Sequence, residues 1–194
     1  GMSQEDAVLC FRRHSTSKIA TDADLDRVST LGFRGEALAS ISAVSRLTLK
    51  TSDGGDRGTQ VEREADRLLG ISDIAFPRGT TIEVRSLFFN LPARLKFLRS
   101  ERSELSFIST YLTHAALAYP EVRFVLVHGS REIMNCPPVA GLRERIFQLY
   151  GKSILDNLMD VDYAEDGFRI EGFSSTPVTG RAGRSTSWPR RARL

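Results

Sequence analysis

Residues 32–38 read Gly32-Phe33-Arg34-Gly35-Glu36-Ala37-Leu38, and no other run limits the fold of this chain as tightly. Two glycines bracket a bulky aromatic residue and an arginine, and a helix-forming stretch over 36–41 follows at once. Glycine just ahead of a helix lets the backbone come close to a ligand. The first amides of that helix lack internal partners and lie at the positive end of the helix dipole. The combination predicts an anion site suited to phosphate. A G-x-x-G string before a helix is a weak signal by itself, because most such strings are plain loops. Arg34 and Glu36 also read as a surface ion pair at a helix start, worth at most about 1 kcal/mol.

Composition narrows the function classes. Hydrophobic residues make up 41% and charged residues 26%, ordinary for a globular protein. No stretch approaches the roughly 18 apolar residues of a membrane span. The start carries no signal-peptide pattern, since Glu5 and Asp6 interrupt it and no apolar run follows. Cys10 and Cys136 have no metal-ligand spacing with one another or with the three histidines, which argues against a zinc site or a disulfide framework and fits a reducing, cytosolic setting. His14 and both cysteines read as structural. The net charge of +3 suggests nucleic acid, but its distribution does not. Five of the 27 basic residues (Arg181, Arg184, Arg190, Arg191, Arg193) crowd into the last fourteen; the other 22 face 24 acidic residues, a net of −2. Any DNA contact must therefore come from a local patch.

Along the chain, Ser3 and Asp6 form a capping-box pattern and predict a helix over 3–13. Leu25 and Val28 suggest a short helix within 21–31, and a longer one is predicted over 36–44. Alternation then predicts strands over 46–50 and 59–63 around the turn residues Asp53-Gly54-Gly55-Asp56. A further strand is predicted over 79–84. An amphipathic helix over 103–119 ends at Pro120. Strands over 122–127 and 131–134 flank His128-Gly129-Ser130, a helix covers 142–150, and a strand covers 168–174. Pro137-Pro138 marks an expected domain break.

Four strings carry more than local information: His14-Ser15-Thr16-Ser17-Lys18-Ile19; the glycine run 32–38; Gly79-Thr80-Thr81-Ile82-Glu83-Val84; and Leu87-Phe88-Phe89-Asn90-Leu91-Pro92-Ala93-Arg94-Leu95-Lys96-Phe97-Leu98. In this order and at these spacings they closely resemble the MutL family of DNA mismatch-repair proteins, within the GHKL ATPases. The resemblance runs from Gly1 to about Gly180. It implies a partial GHKL (Bergerat-type) α/β sandwich over 1–137, with helices on one face of a mixed sheet. An incomplete, smaller α/β domain would follow over 138–180, and a basic, unpacked tail over 181–194.

The resemblance also implies roles. Thr16, Ser17 and Lys18 would join the lid over ATP, Lys18 acting as a point charge toward phosphate. Read without it, the same residues are a helix C-terminal cap with a solvated lysine. Gly32, Phe33, Arg34, Gly35, Glu36, Ala37 and Leu38 would supply main-chain amides to the phosphates. Thr80, with Thr81 as fallback, would face the adenine side of the pocket. Arg94, Lys96 and Arg99 read either as a basic solvated helix start or as a phosphate-contacting patch on DNA, independent of sequence. Gly1 matches the last glycine of the family's Asp-x-Gly-x-Gly string. The expected glutamate base, the Mg2+-binding asparagine and the adenine-reading aspartate would then precede residue 1, so no catalytic residue or metal ligand is assigned, and this chain alone is expected not to hydrolyse ATP. For the intact protein the implied partners are DNA, mismatch-recognition and other repair proteins, and a second MutL-type subunit in an ATP-dependent homodimer or heterodimer. The implied setting is cytoplasmic in a bacterium and nuclear in a eukaryote. The competing reading is a DNA- or partner-binding module without turnover.

Overall fold

A computed structural model describes residues 1–16, 34–55, 57–165 and 167–175. The chain falls into two compact units, Gly1–Leu98 and Arg99–Leu194. The helix expected within 21–31 and the basic tail over 181–194 lie outside the described residues.

The first unit contains α1 (Gln4–Leu9), α2 (Ala37–Ser42), β1 (Arg46–Ser52), β2 (Gly58–Glu64), β3 (Arg67–Ile74), β4 (Gly79–Arg85) and α3 (Pro92–Lys96). Ser3 caps α1 as its sequence predicts, its hydroxyl accepting from the Asp6 N–H at 3.2 Å. The helix stops at Leu9, short of the expected Arg13, because Arg12-Arg13-His14 offers nothing to bury and His14 turns left-handed at φ +62°. The strands form one antiparallel sheet in the order β3-β2-β1-β4. Every strand pairing among the described residues is antiparallel, where a mixed sheet was expected. The connection from β1 to β2 and that from β2 to β3 are hairpin-short, and only antiparallel neighbours can be joined that way.

β1 organises the unit. Its residues alternate, so Leu47, Leu49 and Thr51 turn to one face and are buried, while Arg46, Thr48 and Lys50 turn to the other. Leu47, Leu49 and Val61 of β2 meet Ala7 and Phe11, and Met2, Cys10 and Leu38 of α2 pack against the same cluster. Both helices therefore lie on one face of the sheet. Full burial of each such leucine stabilises the fold by about 1.5–3 kcal/mol. The opposite face is a charged ladder, with Arg46 paired to Glu64 at 2.9 Å and Arg85 paired to Glu83.

β3 was not legible from alternation. Its register slips between Glu62 and Arg63, so the bulge puts Leu68 and Leu69 out of a two-residue period.

The second unit holds α4 (Glu101–Ala118), β5 (Phe124–His128), β6 (Arg131–Cys136), α5 (Leu142–Tyr150), α6 (Lys152–Leu155), β7 (Leu158–Glu165) and β8 (Phe168–Ser175). Its core joins Leu117 of α4 to Leu142 and Ile146 of α5, with Leu158 and Phe173 packed alongside. The division falls after Leu98 and not at Pro137-Pro138, and Leu117 near the C-terminal end of α4 packs on Leu142 and Ile146 of α5. The sequence reading also left β7 unassigned, although Met159-Asp160-Val161-Asp162-Tyr163 alternates.

Candidate nucleotide site

Two corners of the first unit gather the motif residues. At one, Gly1-Met2 meets the end of β1 and the start of β4. The Met2 N–H donates to Thr51 Oγ1 at 2.9 Å, and Thr51 Oγ1 reaches the Gly79 carbonyl at 3.0 Å and Thr80 Oγ1 at 2.8 Å. A Cβ on Gly1 would sit 1.6 Å from the Ser52 carbonyl oxygen, so only glycine fits there. The sheet register separates the two threonine candidates. Thr80 lies opposite buried Thr51, on the helix-covered face, whereas Thr81 lies opposite Lys50 on the charged face. Thr51, fully buried at the centre of this network, was missed because a threonine in a strand reads as an ordinary β-former.

At the other corner, the hydroxyl-rich segment and the glycine run come together. Gly35 is left-handed at φ +63°, and a Cβ placed on it would fall 2.3 Å from the Ser15 carbonyl oxygen. Beside it, His14 Nδ1 and Glu36 Oε1 approach to 3.2 Å. His14, read from sequence as structural, ties the two strings together. Thr16 and Arg34 flank this contact and both have interaction partners. Ser17, Lys18, Gly32 and Phe33 lie outside the described residues.

The helix behind the glycine run is shorter than expected. α2 spans six residues, Ala37–Ser42, against a prediction of 36–44, and Glu36 caps it without a side-chain bond. So short a helix sums few peptide dipoles, and an anion here would be met by individual amides of the turn instead of a macrodipole. The donor set suits phosphate in kind: turn amides, small residues and hydroxyls, with the Glu36 carboxylate directed at His14. No three His, Cys, Asp or Glu side chains converge on a metal site among the described residues.

The basic candidates fall in both units. Arg94 and Lys96 sit exposed in the last turn of α3, and Phe97 immediately after them is 85% exposed. Arg99 opens the second unit, its guanidinium 4.6 Å above the Phe107 ring. An open groove on the charged face of the sheet is lined by Arg46, Lys50, Glu62, Glu83 and Arg85. It lies across the sheet from the Thr51–Thr80 corner. No described helix is long and apolar enough to cross a membrane.

Comparison with known proteins identifies the relatives. No family model matches the chain. It is 39% identical to the DNA mismatch repair protein MutL of Acidobacterium capsulatum, over 96% of this chain and 32% of that protein. It is 45% identical to MutL of Solibacter usitatus, over 85% of this chain and 25% of that protein. The chain thus spans about a quarter to a third of the length of these curated relatives. Among solved structures, the Aquifex aeolicus MutL ATPase domain complexed with ADP superposes with a TM-score of 0.66 at 33% identity, covering 84% of this chain and 62% of that one. With sequence shared along nearly all of its length and the fold of a solved ATPase domain, the chain belongs to the MutL family of DNA mismatch-repair proteins.

Proposed function

We propose that this chain is the lid-and-phosphate-loop portion of a MutL-type ATPase, acting in DNA mismatch repair. The observation that carries the reading is the seating of Gly35 on the Ser15 backbone. It joins the Thr16 segment to the glycine run, two strings 18 residues apart in sequence. ATP would bring a chain of anionic phosphates and an adenine ring. On the chain's side, the Gly35–Leu38 amides would bind phosphate and Thr16, Ser17 and Lys18 would cover it. Thr80 would orient the adenine end from the corner it shares with Gly1 and Thr51. The chemistry of these residues is to bind and orient nucleotide. Titration of the chain with a fluorescent ADP analogue tests the reading. Micromolar to millimolar binding that Gly35→Val abolishes is expected; equal binding by both chains would refute it.

Contact with DNA is the second element of the reading. Exposed Arg94 and Lys96, next to the protruding Phe97 ring, support sequence-independent backbone contact. Repair-protein partners and pairing with a second MutL-type subunit are proposed on the resemblance alone. The alternative, a binding module without turnover, predicts the same DNA contact but no effect of nucleotide upon it.

A further inference from the structure

The connection from β4 to α3 holds strained backbone that the nucleotide corners do not use. Ser86 and Phe88 are both left-handed, at φ +52° and +62°. Side-chain-bearing residues rarely adopt that conformation, and bulky ones least of all. Such strain persists only where the surroundings over-determine it, and it marks places where structure does work.

The surroundings here are the far end of α2. The Phe88 N–H donates to the Val44 carbonyl at 2.6 Å, and Asn90 Nδ2 donates to the Ala43 carbonyl at 2.9 Å. Ala43 is the C-cap of α2. The Arg46 guanidinium lies 5.3 Å from the centre of the Phe89 ring, bracing the turn from β1. Inside the turn, the Phe89 N–H bonds to the Ser86 carbonyl and the Leu91 N–H to the Phe88 carbonyl. Phe88 and Asn90 thus hold the chain at and just beyond the C-cap of α2, and Ser86 is held within the turn by its carbonyl bond to Phe89.

α2 itself is a rigid spacer of about 9 Å, at 1.5 Å per residue. Gly35 and Glu36 stand at one end, Ala43 and Val44 at the other. Ser42 and Ser45 hydroxyls tie back to the Ala39 and Ile41 carbonyls at 3.1 and 2.7 Å, tightening the gripped end. A helix this short has too few hydrogen bonds to flex internally and keep its form. Contiguous structure thus runs from Gly35 through the helix to Ala43 and the turn. The turn leads directly into Pro92–Lys96 and exposed Phe97.

We propose that residues 86–90 form a latch that fixes α2 from its C-terminal end and couples the Gly35 loop to the exposed basic segment 92–98. Its purpose rests on the phosphate-loop reading: occupancy of the loop would bias the segment offered to DNA. Its existence does not, because the contacts that form it are present in the nucleotide-free chain.

Amide hydrogen exchange on the nucleotide-free chain tests it. Asn90→Ala removes the bond to Ala43 and is expected to speed exchange at residues 36–40 about threefold, less than the full worth of a hydrogen bond since this one is exposed. Gly35→Ala is expected to speed exchange at residues 88–97 in return. Arg57→Ala, which breaks the exposed Arg57–Asp73 pair of the same sheet, should alter neither segment. Asn90→Asp, equal in size but without the donor, repeats the test should the alanine variant lose its fold. Effects confined to the substituted segment would overturn the latch. So would equal acceleration at Leu49 and Val61 in both Asn90 variants, which is global loosening. Failure of the wild-type chain to bind ADP, with reciprocal exchange intact, would remove the phosphate-loop reading and leave the latch standing.

Discussion

Gly35 rests directly on the main chain of Ser15, so closely that the carbonyl oxygen and carbon of Ser15 would lie 2.3 and 2.6 Å from any added Cβ. Both atoms are backbone and cannot rotate aside. The position tolerates no side chain on two independent grounds, contact and φ.

Gly35→Ala is therefore expected to disorder the loop while sparing the sheet. Left-handed backbone alone costs an alanine about 1–2 kcal/mol, and the clash adds to it. ADP affinity should fall at least tenfold, read by titration. Far-ultraviolet circular dichroism should stay unchanged, since the main core of the unit is built from β1, β2 and α1.

The two threonines of β4 separate by face. Thr80→Val should weaken ADP binding several-fold, because it removes the hydroxyl on the helix-covered face. Thr81→Val, on the charged face, should leave it alone. Thr51→Val should lower stability by about 1–3 kcal/mol, since it orphans the half-buried Met2 N–H beside the fully buried Thr51 side chain. Urea midpoints and titrations of the three variants decide the matter; equal binding losses for Thr80 and Thr81 would contradict the face assignment.

Cys10 gives a pH signature. Burial pushes its thiol up to about 11, with its backbone bond and Arg63 pulling weakly the other way. The folded state thus favours the neutral thiol. Its contribution to stability is fully present below the ordinary thiol pKa of about 9 and is lost as pH climbs from there toward 11. Alkylation of Cys10 in the native chain should stay slow at pH 8 and speed up on unfolding. Fast native alkylation at pH 8 would show that the thiol is not buried as described.

Arg145 holds the second unit together without a carboxylate. It is fully buried, and its Nη2 donates to the Pro120 and Val122 carbonyls at 2.6 and 2.7 Å while Nη1 meets Gln148 at 3.0 Å. Arg145→Met relieves a buried charge but orphans two carbonyls. The second effect should win, at about 1–3 kcal/mol. Amide exchange along Leu142–Tyr150 should rise accordingly, and Arg145→Lys should not rescue it, because one ammonium cannot span the same three acceptors.

Sequence by itself determined the family, the order of the motifs and most of the periodic elements. Alternation in Arg46–Ser52 and the apolar spacing of Leu142–Tyr150 are local patterns, and the helix was read to the residue. The Asp53-Gly54-Gly55 turn likewise needs only local chemistry. Tertiary structure decided the rest, because it depends on partners far away in the chain. Strand register put Thr80 and Thr81 on opposite faces, a distinction that requires knowing which residue of β1 each one meets. The bulge that hides β3 is a property of its pairing with β2. No local rule predicts Gly35 upon Ser15 or Asn90 upon Ala43, contacts spanning 20 and 47 residues. The sum of local preferences named the parts, while burial and backbone hydrogen bonding across the chain chose which of them would touch.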